Sequence, residues 1–315
     1  MKKLLKILSR LCIGILCTVL ALAVLVIGGL NIAKFIIYDD YYEIRTNICK
    51  NPGLGDGFVC QGLAADEDSG KFLISGYMDD KSNSRIYVTD TSDNSYHVKL
   101  TREGKKYSGH AGGVAVSHGT VYLANGGRIF HFPLSDVLNA ADGDTVDIGE
   151  GTKVNNNASF VFSDEAHLYV GEFHHGEDYK TEHHLEEFGV VYNAIITKYS
   201  LDDLSTPLKI YAVIDKVQGA CFTPDGKIVL STSFSVADSV YYFYNEADAK
   251  LSESTLDGAP VYFLTEPTKV VKGPAMSEDM DYYDGKAICL TECASNKYKF
   301  GKLFFANKIY GLDVD

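Results

Sequence analysis

Two hydrophobic patterns divide the chain. Residues 11–33, LCIGILCTVLALAVLVIGGLNIA, run without a charge, and about 20 apolar residues are enough to cross a bilayer as a helix. Further on, the pattern changes to short apolar segments cut by polar turns, and this pattern repeats. Five stretches align: QGLAADEDSGKFLISGY from Gln61, GGVAVSHGTVYLANG from Gly112, ASFVFSDEAHLYVGEF from Ala158, QGACFTPDGKIVLSTSF from Gln218 and EDMDYYDGKAICLTEC from Glu278. Each reads as a strand, a tight turn and a second strand. The turns Asp68-Ser69-Gly70, His118-Gly119, Pro224-Asp225-Gly226 and Asp284-Gly285 carry the residues that tolerate positive φ in tight hairpins. Asp164-Glu165-Ala166 is the weakest of the set.

A third strand-like run follows several of the hairpins: RIYVTDT from Arg85, RIFHFPL from Arg128, AIITKYSL from Ala194 and SVYYFYN from Ser239. The copies start 46–60 residues apart. Three or four antiparallel strands at that period predict an all-β fold, a β-propeller. A β-sandwich or β-helix does not call for five copies of one hairpin. KIYGLDVD at the C-terminus reads as the third strand of the last blade, and YYEIRTNIC from Tyr41 as its missing outer strand, closing the ring. Five blades are visible, and residues 247–274 leave room for a degenerate sixth.

The apolar N-terminal run follows Lys2, Lys3, Lys6 and Arg10. Its one A-x-A, Ala21 and Ala23, lies inside the run, and no lipobox precedes Cys12 or Cys17. These features predict an uncleaved signal anchor rather than a cleaved leader. The positive-inside rule then makes residues 1–10 a short cytoplasmic tail, 11–38 the span and 39–315 an extracytoplasmic propeller in the cell membrane. Of 29 basic residues, five precede Asp39, whereas all 42 acids lie from Asp39 onward. So acidic a propeller argues against nucleic acid as a partner and favours cations. Among its five cysteines, Cys289 and Cys293 are too far apart to pair on one extended strand, roughly 13 Å at 3.3 Å per residue. Cys49 with Cys60 is the expected bridge, and the odd count leaves a free thiol.

The stretch HHGEDYKTEHH, residues 174–184, holds four of the nine histidines. In a propeller the first strand of each blade lines the axis, so its start, the end of the second strand and the loop that leaves it share one face. The histidine-rich loop leaves the second strand of the third blade and therefore overhangs the channel mouth. His174, His175, His183 and His184, supported by Glu172 and Glu182, are candidate ligands for Zn²⁺. A solvated acidic loop and a pH-sensitive lid fit the same residues. Around the mouth, the small positions Gly62, Gly113, Ser159, Gly219 and Asp279 align, with Gln61, Gly112, Ala158, Gln218 and Glu278 just before them. His110 and Asn157 lie close by, and the second strands end at Asn125, Glu172, Ser231 and Glu292. Converging polar side chains at a channel entrance make the default ligand site. The expected site is thus Gln61, His110, Asn125, Asn157, Glu172, Gln218, Glu278 and Glu292.

An acid or amide followed by Gly and three apolar residues resembles the inner strands of senescence-marker-protein/gluconolactonase-like and strictosidine-synthase-like propellers. In the former, the residue before the Gly is a Glu, Asn or Asp that holds a catalytic divalent ion. The resemblance covers the short repeats alone and points to Gln61, Gln218 and Glu278, with Asn157 offset by one. Two of the three matched positions are neutral amides, whereas Ca²⁺ prefers several carboxylates; Glu172 or Glu292 would have to restore the charge. No G-x-S-x-G, H-E-x-x-H or phosphate-cradling loop is present. Two functions follow. One is a membrane-anchored module that binds a small-molecule or protein ligand at the channel face. The other is a hydrolase assisted by Ca²⁺ or Zn²⁺, acting on an ester or lactone, with glycoside hydrolysis by Glu278, Asp279, Asp281 and Glu292 a more distant variant.

Overall fold

The computed structural model describes residues 2–298, 301 and 306–315. Among these residues the strands form five blades around one axis. The inner, second and third strands of blade 1 are Phe58–Asp66, Lys71–Met78 and Arg85–Thr89. Those of blade 2 are Gly113–Ser117, Thr120–Asn125 and Arg128–Pro133, and those of blade 3 are Phe160–Ser163, His167–Gly171 and Ala194–Ser200. Blade 4 uses Val217–Phe222, Lys227–Thr232 and Ser239–Asn245, and blade 5 uses Ser277–Tyr283, Lys286–Thr291 and Lys308–Asp313. Each aligned repeat is therefore the inner hairpin of one blade. Its apolar residues face the neighbouring blades; Phe72, Phe130, Phe160 and Tyr241 are among the largest side chains shut off from solvent.

The ring closes as the repeat pattern predicts. Arg45–Lys50 pairs antiparallel with Lys308–Asp313 and becomes the outer strand of blade 5, so the first strand of the propeller locks onto its last. The closing strand is shorter than YYEIRTNIC, because Asp39–Ile44 is helical. No sixth blade exists among the described residues. Within the 247–274 segment, Ala259–Phe263 pairs parallel with the edge of blade 3, and Lys269–Gly273 completes blade 4. Thr145–Asp147 does the same for blade 1, adding a parallel edge strand from a segment that otherwise serves blade 2. These returning segments cover sheet edges that would otherwise be open to pairing.

The expected Cys49–Cys60 bridge is absent, and all seven cysteines are free. Cys49 lies on the outer strand of blade 5 and Cys60 on the inner strand of blade 1. The Cys60 thiol is instead held by Asn51 Nδ2 at 3.1 Å and points at the Thr291 carbonyl at 3.3 Å.

At the axis the strands approach so closely that the small aligned residues are obligatory. A Cβ on Gly62 would lie 2.6 Å from the Val114 nitrogen, and one on Gly113 would lie 2.5 Å from the Val161 nitrogen. A Cβ on Gly219 would meet the Asp279 Cα at 2.5 Å. Blade 5 breaks the rule with Asp279. Its carboxylate crosses the axis and accepts from the Leu63 and Val114 N–H groups at 3.2 and 3.3 Å. Asp281 repeats the device one step deeper, accepting from Ala65 N–H at 2.7 Å.

The N-terminal segment forms helix α1, Lys2–Ile37, with no buried residue. It is long and apolar enough to cross a membrane. At about 1.5 Å per residue it outreaches a hydrocarbon core of about 30 Å. Helix α2, Asp39–Ile44, follows directly and drives Tyr41 into the propeller. There the Tyr41 ring stacks on Tyr241 at 5.8 Å and meets Tyr310 edge-on at 6.5 Å.

Candidate functional site

The inner strands do not enter the mouth smoothly. In blades 1, 4 and 5 the pairing register slips between Cys60 and Gly62, between Val217 and Gly219, and between Ser277 and Met280. The bulged positions hold Gln61, Gln218 and Glu278–Asp279. A bulge re-aims side chains at a sheet end, and here it turns Gln61, Gln218 and Glu278 into the opening. Sharp left-handed corners sit beside the inner strands: Ala111, Ala158, Lys216 and Met276 have φ of 51°, 45°, 67° and 64°. Non-glycine residues at positive φ store strain that surrounding structure must hold.

The result is a cavity of about 680 Å³ at the channel mouth. Gln61, His110, Asn125, Asn157, Gln218, Glu278 and Glu292 all line it. Glu172 does not; it is buried behind the lid, accepting from the Asn157 and Ile195 N–H groups, each at 3.3 Å. Ser231 is also withdrawn, 2.7 Å from the Ser277 hydroxyl. Tyr77, Phe173, Phe234, Lys297 and Tyr298 join the lining and were missed in the sequence. Tyr77 lies next to last in the second strand of blade 1, one residue beyond the place Asn125 holds in blade 2. Phe173, Phe234, Lys297 and Tyr298 lie on the loops that leave second strands. The same rule that placed the histidine-rich loop at the mouth applies to them.

The chemistry concentrates on the blade 5 side. Gln61 Nε2 donates to Glu292 Oε2 at 2.9 Å and to its neighbour's carbonyl, Cys60 O, at 2.9 Å. Burial pushes the Glu292 carboxyl up to about 7, against the pull of Tyr298, Lys297 and Gln61. Glu278 is held well above the usual carboxylate range by burial and by the charges of Glu292 and Asp279. Lys297 reaches over the Tyr77 ring at 4.6 Å and the Tyr298 ring at 5.1 Å, and its ammonium donates to the Tyr77 hydroxyl. His110 packs on the same Tyr77 ring at 4.7 Å. Burial, with Lys297 nearby, lowers its pKa. Two buried acids with raised pKa values thus share the cavity with an imidazole of lowered pKa and the Lys297 ammonium.

The histidine-rich loop closes over the opposite side, with Tyr179 on the cavity wall. Its four imidazoles take separate partners. His174 Nδ1 meets Thr181 Oγ1 at 2.8 Å, and the His175 ring lies 3.8 Å from the Phe234 ring. His183 Nδ1 pairs with Glu172 at 3.1 Å, and His184 Nδ1 meets Asn193 Oδ1 at 2.7 Å. Hydrogen bonding to Glu172 raises the His183 pKa. Among the described residues no three His, Cys, Asp or Glu side chains come together as a metal site. The ring that the lactonase-like resemblance implies fits Ca²⁺ no better. Gln61 is spent on Glu292, and Gln218 is a neutral amide 3.4 Å from Ser233, which leaves Glu278 as the one carboxylate among the three matched positions.

Fold and site together define a five-bladed β-propeller with an axial-mouth cavity. No protein-family model matches the chain, and no curated protein matches it. Several solved structures align with most of the chain. A β-xylosidase is 11% identical with a TM-score of 0.44, over 85% of this chain and 94% of its own. The PQQ-bound aldose sugar dehydrogenase of Streptomyces coelicolor is 15% identical with a TM-score of 0.43, over 78% of this chain and 76% of its own. A chain of a nidogen/laminin complex gives 13% and 0.41, over 75% and 73%. The blade count and the site rest on the geometry of this chain alone.

Proposed function

We propose that this protein is a membrane-anchored propeller whose channel-mouth cavity binds a small polar ligand outside the cell. The observation that carries this reading is the cavity itself: about 680 Å³, with polar side chains contributed by every blade. Pockets of roughly 300–1,000 Å³ suit small molecules. The amides of Gln61, Asn125, Asn157 and Gln218 offer both donors and acceptors, and the aromatic walls offer apolar faces. A ligand rich in hydroxyls and neutral overall matches that inventory. Helix α1 would supply the anchor, and its basic start supports an extracytoplasmic side for residues 39–315. Protease added to intact cells would then remove the propeller; protection until the membrane is opened would reverse the sidedness.

A second reading, a hydrolase acting on an ester, lactone or glycoside, is favoured by Glu278 and Glu292. Carboxyls whose pKa is raised by burial are suited to general acid work. One experiment separates the two. Thermal stability of the full chain is measured with a panel of mono- and disaccharides and lactones, and turnover is followed on the same panel and on chromogenic esters and glycosides. Stabilisation that Gln218→Ala and Asn157→Ala abolish, without turnover, supports the binding module. Turnover lost in Glu278→Gln or Glu292→Gln makes it the hydrolase. No stabilisation and no turnover across the panel retires the small-ligand reading.

A further inference from the structure

The anchor and the cavity meet at one loop. The backbone hydrogen bonds of α1 carry on into α2 without a linker: Tyr38 N–H donates to Lys34 O and Tyr42 N–H to Tyr38 O, both at 3.0 Å. Tyr41 is fully buried in the propeller, so α2 cannot swing. The Tyr38 hydroxyl donates to Asp238 Oδ1 at 2.9 Å. Asp238 belongs to the loop between the second and third strands of blade 4, whose Ser233, Phe234 and Ser235 line the cavity. Phe234 also carries the His175 ring of the lid.

The apolar surface of the anchor runs right up to this junction. Ile36 and Ile37 are 73% and 60% exposed, and nothing in the propeller covers them. Burying such side chains is favourable, and for a membrane helix the cover is lipid. Tyr38 then sits at the edge of the hydrocarbon, where tyrosine is enriched. Two residues before Asp238, Val236 stands 65% exposed at the tip of the same loop.

We propose that the 233–238 loop, the lip of the cavity on blade 4, is a lipid-facing surface held against the headgroup layer by the α1–α2 junction. The inference rests on reading α1 as a membrane anchor. The cavity-bearing rim is then membrane-proximal and the opposite rim distal, and a ligand reaches the cavity along the membrane surface. The acidic propeller gains nothing from anionic lipid; the junction, rather than charge, sets the orientation, and a zwitterionic bilayer suffices.

The chain contains no tryptophan, so a single introduced indole reports its own position. Val236→Trp, Leu208→Trp and Leu25→Trp, each in the full chain, would be reconstituted in phosphatidylcholine and in brominated phosphatidylcholine vesicles. Leu208 is 45% exposed and lies just before the strand Lys209–Val213, on the rim away from the cavity. The expected result is loss of fluorescence at Leu25→Trp and at Val236→Trp, with none at Leu208→Trp. Adding Tyr38→Phe to Val236→Trp should reduce its quenching. Quenching at Leu25→Trp with none at Val236→Trp, or with more at Leu208→Trp, overturns the orientation while leaving the anchor intact. No quenching at Leu25→Trp overturns the anchor itself. Both propeller positions are exposed, and an unchanged melting temperature confirms that each variant folds.

Discussion

Blades 3 and 5 both bring charged groups to the channel mouth, and they treat them in opposite ways. Blade 3 places its histidines on an inserted loop and gives each imidazole its own partner, whether Thr181, Phe234, Glu172 or Asn193. Blade 5 places carboxyls on the inner strand itself, where the converging backbones exclude water. Glu278 is raised by burial and by the neighbouring Glu292 and Asp279, and among the described residues Asp279 Oδ1 is buried without a hydrogen-bond partner. A buried polar group with a partner is neutral to stability or better, whereas one without costs free energy. The histidine-rich stretch, the more conspicuous in sequence, is therefore the quieter chemically. The strained acids of blade 5 are what a functional site tends to leave behind.

The largest effect should come from Asp279. It is the one side chain that crosses the axis in place of a small residue, and it accepts from blades 1 and 2 at once. Asp279→Ala leaves two buried N–H groups unmet, at about 1–3 kcal/mol each. The full chain should lose several degrees of melting temperature. Asp279→Asn keeps an acceptor oxygen and offers a donor where Oδ1 is now unpartnered, so it should retain most of the stability. Equal melting temperatures for wild type and Asp279→Ala would remove the axial pin from the comparison.

Glu292 gives the next effect, through pH. Its folded pKa is raised to about 7 from 4.5. The folded state therefore keeps a proton that the unfolded state releases, and this contribution to stability falls as pH rises from 4.5 to 7. Asp281, pushed up to about 7 by burial, adds in the same direction. Glu292→Gln should flatten the slope in that window and raise the melting temperature at pH 8 by a few degrees relative to wild type. Thermal scans at pH 4.5, 6 and 8 check this, and a slope identical to wild type would show that Glu292 is better solvated than its burial implies.

The contrast between the blades was only half legible in the sequence. The five hairpins, the third strands and the closing strand follow from alternation and turn residues, which are local. The ring of Gln61, Gln218 and Glu278 followed from alignment of the repeats, because equivalent positions occupy equivalent places. What repeats cannot convey is contact between blades. Thus the pairing of Gln61 with Glu292, the reach of Lys297 to Tyr77 and the withdrawal of Glu172 behind the lid were invisible. Nor did spacing reveal that Cys49 and Cys60 belong to different blades, or that residues 247–274 patch the edges of blades 3 and 4. The four histidines stand close in sequence, but a loop pinned at several points sends their rings to different partners.

The lid offers the smallest effect and the sharpest contrast with blade 5. His183 has a raised pKa because Glu172 accepts a hydrogen bond from its ring and stabilises the protonated form. The sign is the same as for the buried acids, in a higher window: the pairing contributes fully below 6.5 and is lost as pH rises through the raised folded value. Lys180, on the same loop and largely exposed, is a natural point for trypsin. Cleavage there should speed up from pH 6.5 to 9 in wild type relative to His183→Gln, which cannot titrate. Taking the ratio of the two cancels the pH dependence of the protease. A constant ratio would mean that His174, through Thr181, and His184, through Asn193, hold the loop without help from charge. Blade 3 would then be structural throughout, leaving the pH response of the cavity to Glu278 and Glu292.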